Sequence, residues 1–158
     1  MLYNVSALQR EDKTTMDGSV AEVFLPERKT RLARPLIAWR VPAGFPSPAE
    51  DYIEGRIDLN RDLVRHPLAT FYIRVEGDSM VGAGIQPGAL LVVDRAAEVH
   101  EGHIIVARIG DELTVKRFST EAGKILLTPA NAAYEPIEVT EEVDFEVWGR
   151  VIYSIQRH

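Results

Sequence analysis

Two residues stand out for the chemistry they could perform. Ser79 sits in Glu76-Gly77-Asp78-Ser79-Met80, just past an alternating apolar run, with further glycines at 82 and 84. A serine on so tight a turn exposes its hydroxyl and leaves backbone N–H groups free beside it, the parts of a nucleophile and an oxyanion hole. Gly, Asp and Ser also favour turns for purely structural reasons, and on local composition alone a plain turn is the favoured reading. Lys116 lies in Leu113-Thr-Val-Lys-Arg-Phe118, a strand pattern that turns Leu113 and Val115 to one face and Thr114, Lys116 and Phe118 to the other. A lysine pressed between Thr114 and Phe118 could be poorly solvated if that face lines a cleft, although most such lysines snorkel over apolar neighbours into water. To act as a base near neutral pH its pKa must fall from about 10.4 to near 7, at a cost of roughly 4–5 kcal/mol. Burial without a carboxylate partner can supply that, and an exposed position cannot.

A third feature is the Pro-rich stretch from Arg40 to Glu50. Pro42, Pro46 and Pro48 exclude a regular helix or central strand, and the Ala43-Gly44 bond between them is flanked by side chains too small to shield it. It reads as an extended peptide that something could grip. Other chemistry is poorly specified. His66 precedes a proline and His158 is the last residue. His100 and His103, with Glu98 and Glu101, bring no three ligands together at metal-binding spacing. A Ser-His-Asp arrangement has no pattern to support it, and neither a metal nor another cofactor is expected.

The elements that must position these residues follow from periodicity and turn chemistry. Val20 to Leu25 can form a short strand, and Leu36 to Val41 runs extended into the prolines. Ser47, Pro48 and Glu50 form a capping box, with Ile53 and Ile57 one turn apart on the helix it would start; Gly55 weakens that helix. Asp58 can cap a second short helix carrying Leu59 and Leu63 to His66-Pro67. From Thr70 the pattern becomes strands: Phe71, Ile73 and Val75 alternate with polar or mixed residues. Pro87-Gly88 suits a type II turn before the apolar run 89–94. Residues 104–109 and 113–118 flank a Gly110-Asp111-Glu112 hairpin, and 124–128 and 145–155 supply further strands. The expectation is a mainly β domain of about seven short strands, with an extended N-terminal arm.

Composition narrows the function classes. The chain has 158 residues, 46% hydrophobic and 27% charged, the profile of one ordinary globular domain. It has no cysteine, which excludes disulfides, thiolate catalysis and thiolate metal sites. No apolar run reaches membrane-spanning length and the first residues lack a signal-peptide layout, so a cytoplasmic protein without membrane association is expected. The net charge of −6 argues against nonspecific nucleic-acid binding. The first 43 residues hold seven Lys/Arg against five acids, the remainder eleven against nineteen. A mildly basic arm therefore precedes an acidic body, and the two can attract in a salt-sensitive way.

The segments AGFPSPAEDYIEGRIDLNRDLVRHP, EGDSM, IQPGALLVVDR, ELTVKRF and LTPANAAYEPI, in this order, resemble the LexA/UmuD family of self-cleaving Ser–Lys peptidases, and within it the UmuD branch of SOS mutagenesis. The resemblance covers about residues 41–156. The intervals of 36 residues from Ala43 to Ser79 and 37 from Ser79 to Lys116 match the family spacing. It implies that Ser79 attacks the Ala43 carbonyl with Lys116 as neutral base, that the N–H groups of Ser79 and Asp78 hold the oxyanion, and that the Ala43-Gly44 bond is cut. Residues 1–43 would then be a removable arm and 44–158 the peptidase body. It also implies a homodimer, promotion of the cut by a RecA–single-stranded-DNA filament, and a UmuC-like subunit with which the shortened form makes an error-prone translesion polymerase. A LexA-like or phage-type repressor is the rival; it would need a helix-turn-helix ahead of the cut, for which the first 42 residues leave no room, so no direct sequence-specific DNA binding is expected.

Overall fold

Strands dominate because apolar and β-branched residues recur every second position and tight turns separate them. The computed structural model describes residues 20–24, 33–37 and 53–158. In it, β1 (Val20–Phe24), β4 (Thr70–Val75), β5 (Leu90–Asp94), β6 (Ile104–Ile109), β7 (Glu112–Glu121), β8 (Lys124–Thr128), β9 (Ile137–Val139) and β10 (Phe145–Ile155) form one eight-stranded antiparallel sheet. Its order is β1-β4-β5-β10-β6-β7-β8-β9, while β2 (Arg34–Ile37) and β3 (Ile53–Ile57) pair as a separate two-stranded ribbon. A five-residue helix, α1 (Leu59–Leu63), follows β3, with Asp58 capping it through the Asn60 N–H at 3.1 Å. The domain is mainly β, as expected.

One expectation needs correction. Ile53 and Ile57 lie on a strand, not a helix: β3 pairs antiparallel with β2, from Arg34 opposite Ile57 to Ile37 opposite Ile53. A spacing of four fits one helical turn and equally two strand repeats, so it could not discriminate. Gly55 disfavours a helix, and the backbone partner supplied by β2 decides for the strand. The capping-box residues Ser47, Pro48 and Glu50 lie outside the described residues. The body, expected to hold about seven short strands, holds β3 to β10, and β1 and β2 precede it. The three-residue β9 escaped notice because its two apolar positions, Ile137 and Val139, are set among acids and a proline.

Local turn chemistry closes the hairpins. Gly110, at φ 57°, and Asp111 join β6 to β7; Ala122 and Gly123, both at positive φ, join β7 to β8. Ala89 N–H bonds to Gln86 O at 3.0 Å across Pro87-Gly88, with Gly88 at φ 83°, which is the anticipated type II geometry.

The sheet buries side chains on both faces through its middle. On one side Ile73, Met80, Leu91, Val93, Val106 and Val115 form the larger core, with Phe71 meeting Trp148 edge-on at 5.9 Å. On the other, Ile105, Ala107 and Leu127 gather a second cluster that includes Phe118, Ile137 and Phe145. Register explains the division: Val106 faces Val115 on one side, and Ile105 faces Lys116 on the other. A register irregularity in β10 between Val147 and Gly149 resets the alternation, so Val147 packs in the second cluster and Val151 in the first. Fully burying each such Val, Leu or Ile stabilises the fold by about 1.5–3 kcal/mol. The sheet also curls: β1 approaches β7, although four strands separate them in the sheet order.

Candidate active site

That curl brings the loop after β4 against β7. The backbone turns out of β4 at Gly77, where φ is 77°, a conformation in which any side chain would be strained. Asp78, Ser79 and Met80 follow, and Met80 anchors the turn by inserting into the larger core at 2% exposure. Ser79 Oγ then lies 3.0 Å from Lys116 Nζ, with the two residues 2% and 4% exposed. The amine is held from its own strand as well, donating to Thr114 Oγ1 at 3.0 Å and to the Val115 carbonyl at 3.3 Å. Thr114 shares the Lys116 face because it lies two residues away on an extended strand. Ile105 is opposite Lys116 in the register, so the aliphatic stem of the lysine runs beside apolar neighbours.

The turn is clamped by its carbonyls. Asp78 O accepts from Val81 N–H and from Asn131 Nδ2, both at 3.2 Å, and Ser79 O accepts from Ala130 N–H at 2.8 Å. Met80 O accepts from Ala83 N–H at 3.0 Å and from Ile85 N–H at 3.3 Å. No backbone carbonyl among the described residues accepts from the N–H of Asp78 or Ser79. The Asp78 carboxylate accepts a hydrogen bond from the Tyr134 hydroxyl. Gly82 permits the clamp to close: its N–H donates to Ala130 O at 2.7 Å, and a Cβ built there would stand 2.3 Å from the same oxygen. A tightly bonded turn with two amides left over beside a buried serine and amine can support nucleophilic attack and stabilise an oxyanion.

Of the residues singled out in the sequence, the structure brings together Ser79, Asp78 and Lys116. Ala43 and Gly44 lie outside the described residues, but the ribbon that flanks them is described, and its Ile37–Ile53 pair draws together the two ends of the segment holding the bond. The histidines go elsewhere. His66 Nδ1 lies 2.6 Å from Asp94 Oδ2, and His100 Nε2 lies 3.3 Å from Glu98. Burial, then the nearby charges of Arg150 and His100, hold His103 below its ordinary value. No group of three or more His, Asp or Glu among the described residues is arranged to hold a metal ion, and no helix among them is long and apolar enough to cross a membrane. Sequence reasoning missed the clamp of Ala130, Asn131 and Tyr134. Its only signal was LTPANAAYEPI, a motif without an assigned task.

Comparison with known proteins follows the same residues. The Peptidase S24-like family matches residues 35–152. Protein SamA of Salmonella typhimurium is 44% identical over 123 residues, covering 78% of this chain and 85% of that protein. Protein ImpA of Escherichia coli is 46% identical over 117 residues, 74% of this chain and 75% of its own. The LexA repressor of Hahella chejuensis is 43% identical over 135 residues, 84% of this chain and 67% of the repressor.

Proposed function

This chain belongs to the Peptidase S24-like family, the LexA/UmuD group of self-cleaving serine peptidases, and from that premise we propose that it cuts its own Ala43-Gly44 bond with Ser79 as nucleophile and Lys116 as base. The observation that carries the proposal is the 3.0 Å approach of Lys116 Nζ to Ser79 Oγ in a buried setting. Removal from water penalises an ammonium relative to an amine, so burial favours the form that can accept a proton. The neutral amine takes the Ser79 proton as Oγ bonds to the Ala43 carbonyl carbon. The oxyanion is held by the unused N–H groups of Ser79 and Asp78. Collapse breaks the Ala43–Gly44 C–N bond, and Lys116 returns the proton to the departing Gly44 amine. Water, deprotonated by the same amine, then hydrolyses the acyl-serine and frees the Ala43 carboxylate. For such an attack an Ala side chain needs little room, a glycine permits close backbone approach to a nucleophile, and a proline before the bond favours an extended substrate.

Cutting removes the covalent link between residues 1–43 and the body 44–158. The UmuD resemblance supports a downstream role in SOS mutagenesis: a RecA–single-stranded-DNA filament promotes the cut, and the shortened homodimer joins a UmuC-like subunit of an error-prone translesion polymerase. The likeness to a LexA repressor makes a self-cleaving repressor the second reading. A gel shift at moderate salt separates the two, since tight binding to a specific DNA sequence would favour the repressor.

The chemistry is tested by the rate at which fragment 44–158 forms as pH is varied. The rate is expected to climb as pH rises from 7 towards 10, because a base must be unprotonated to take the serine proton. A flat or falling profile would remove Lys116 from the role of base.

A further inference from the structure

The bond between Ala43 and Gly44 is one link between arm and body, and the structure shows two others that are not covalent. Strand β1, within the first 43 residues, pairs antiparallel with β4: Val20 with Val75, Glu22 with Arg74, Val23 with Ile73 and Phe24 with Tyr72. Strand β2, also before the bond, pairs with β3 after it. Hydrolysis at 43/44 breaks none of these backbone ladders. Strand β4 has β5 on its other side, so without β1 it would become the edge of the sheet. It would be a poor edge to expose, because it carries Phe71, Ile73 and Val75 at 5%, 0% and 3% exposure, and its outer N–H and C=O groups would stand open to any extended chain.

We propose that the free edge of β4 is a strand-binding site whose resident occupant is residues 20–24 of the same chain, and that cleavage yields first a nicked complex in which residues 1–43 stay bound to 44–158. The physiological consequence rests on the self-cleavage reading, whereas the site itself does not. Before the cut, tethering gives β1 a high local concentration at β4; after it, the same pairing becomes an ordinary binding equilibrium, weaker and open to competition. Recognition is by main-chain hydrogen bonds to Tyr72–Val75, the mode in which an extended peptide adds to a sheet edge. Among the described residues the β2–β3 ribbon has no third strand behind it and is too marginal to hold the arm alone, so arm and body part when a competing strand displaces β1, not at the moment of hydrolysis. Strand β1 also approaches β7, the strand that bears Lys116, so its departure would uncover part of that strand as well.

The test uses the full chain carrying Ser79→Ala and a recognition sequence for an added site-specific protease between residues 43 and 44. Because the added protease makes the nick, a failure of self-cleavage would sink the earlier reading without touching this one. After the cut, size-exclusion chromatography with mass spectrometry is expected to find the arm fragment eluting with the body at equal stoichiometry. A synthetic peptide of residues 17–27 is expected to release it, and the same peptide carrying Glu22→Pro and Val23→Pro is not. The pair Glu22→Pro and Val23→Pro, which removes an inward-facing N–H whichever parity the strand has, is expected to abolish co-elution while the body keeps its β-sheet circular dichroism. An arm that separates from the unsubstituted body on nicking would overturn the proposal. So would an arm retained in the presence of both the proline pair and excess peptide, since it would then be held elsewhere.

Discussion

Gly82→Ala is a small change at a distance from the reacting atoms, and it should nevertheless damage catalysis. The added methyl carbon would lie 2.3 Å from Ala130 O and 3.2 Å from the carbonyl carbon. Real contacts of this kind stay above 3.0 Å, so the turn and the Ala130 loop must part by about 0.7 Å. That movement weakens the 2.7 Å bond from Gly82 N–H to Ala130 O and pulls on the neighbouring 2.8 Å bond from Ala130 N–H to Ser79 O. The stability cost combines one strained hydrogen bond, about 1 kcal/mol, with overpacking of about 1–3 kcal/mol. The catalytic cost is larger in proportion, because a displacement near 1 Å of a positioned nucleophile can reduce the rate by about a hundredfold. Urea unfolding should therefore show a loss of about 2–4 kcal/mol with an unchanged slope, and alkaline self-cleavage should slow by about tenfold to a hundredfold under conditions where the variant is fully folded. Cleavage within twofold of the unsubstituted protein would show that the Ala130 clamp does not set the position of Ser79.

Two further outcomes follow from named contacts. Thr114→Val removes the hydroxyl 3.0 Å from Lys116 Nζ while nearly keeping the volume; losing one hydrogen bond worth about 1 kcal/mol should slow self-cleavage about fivefold, and an unchanged rate would make Thr114 a bystander. Hydrogen bonds from Arg108, aided by its charge, hold the Asp144 carboxyl below its ordinary value of 3.8. A carboxyl depressed in the folded state adds stability above the unfolded value and loses that contribution as pH falls through the folded one, so Arg108→Gln should move the Asp144 carboxyl-carbon titration upward and lower stability at neutral pH, the difference shrinking as pH falls below about 4.

Local chemistry was legible and nonlocal geometry was not. The hairpin around 110–111, the turn at Pro87-Gly88 and the Asp58 cap each follow from residues adjacent in the chain. The sidedness of β7 was also readable, since alternation alone turns Thr114 and Lys116 to a common face. What alternation could not supply is that Ile105 and Leu127 flank that face from the neighbouring strands and the Ser79 turn closes on it, burying Lys116. The ribbon of β2 and β3 was misread because Ile53 and Ile57 satisfy two periodicities, and only a pairing partner some twenty residues away decides between them. The meeting of Ser79 with Lys116 needs the curl of a sheet in which β5, β10 and β6 lie between their parent strands. Spacing matched to a known family anticipated that meeting; physical reading of the chain did not. The clamp from Tyr134 and Asn131 onto Asp78 spans more than fifty residues and left no local trace.

The most direct test of the whole scheme is mass spectrometry of the purified chain after incubation near pH 10, beside Ser79→Ala and Lys116→Ala. The expected result is a fragment beginning at Gly44, accumulating with time in the unsubstituted protein and absent from both variants. The same fragment in either variant, or a cut at another bond in all three, would contradict a Ser79–Lys116 pair acting on Ala43-Gly44.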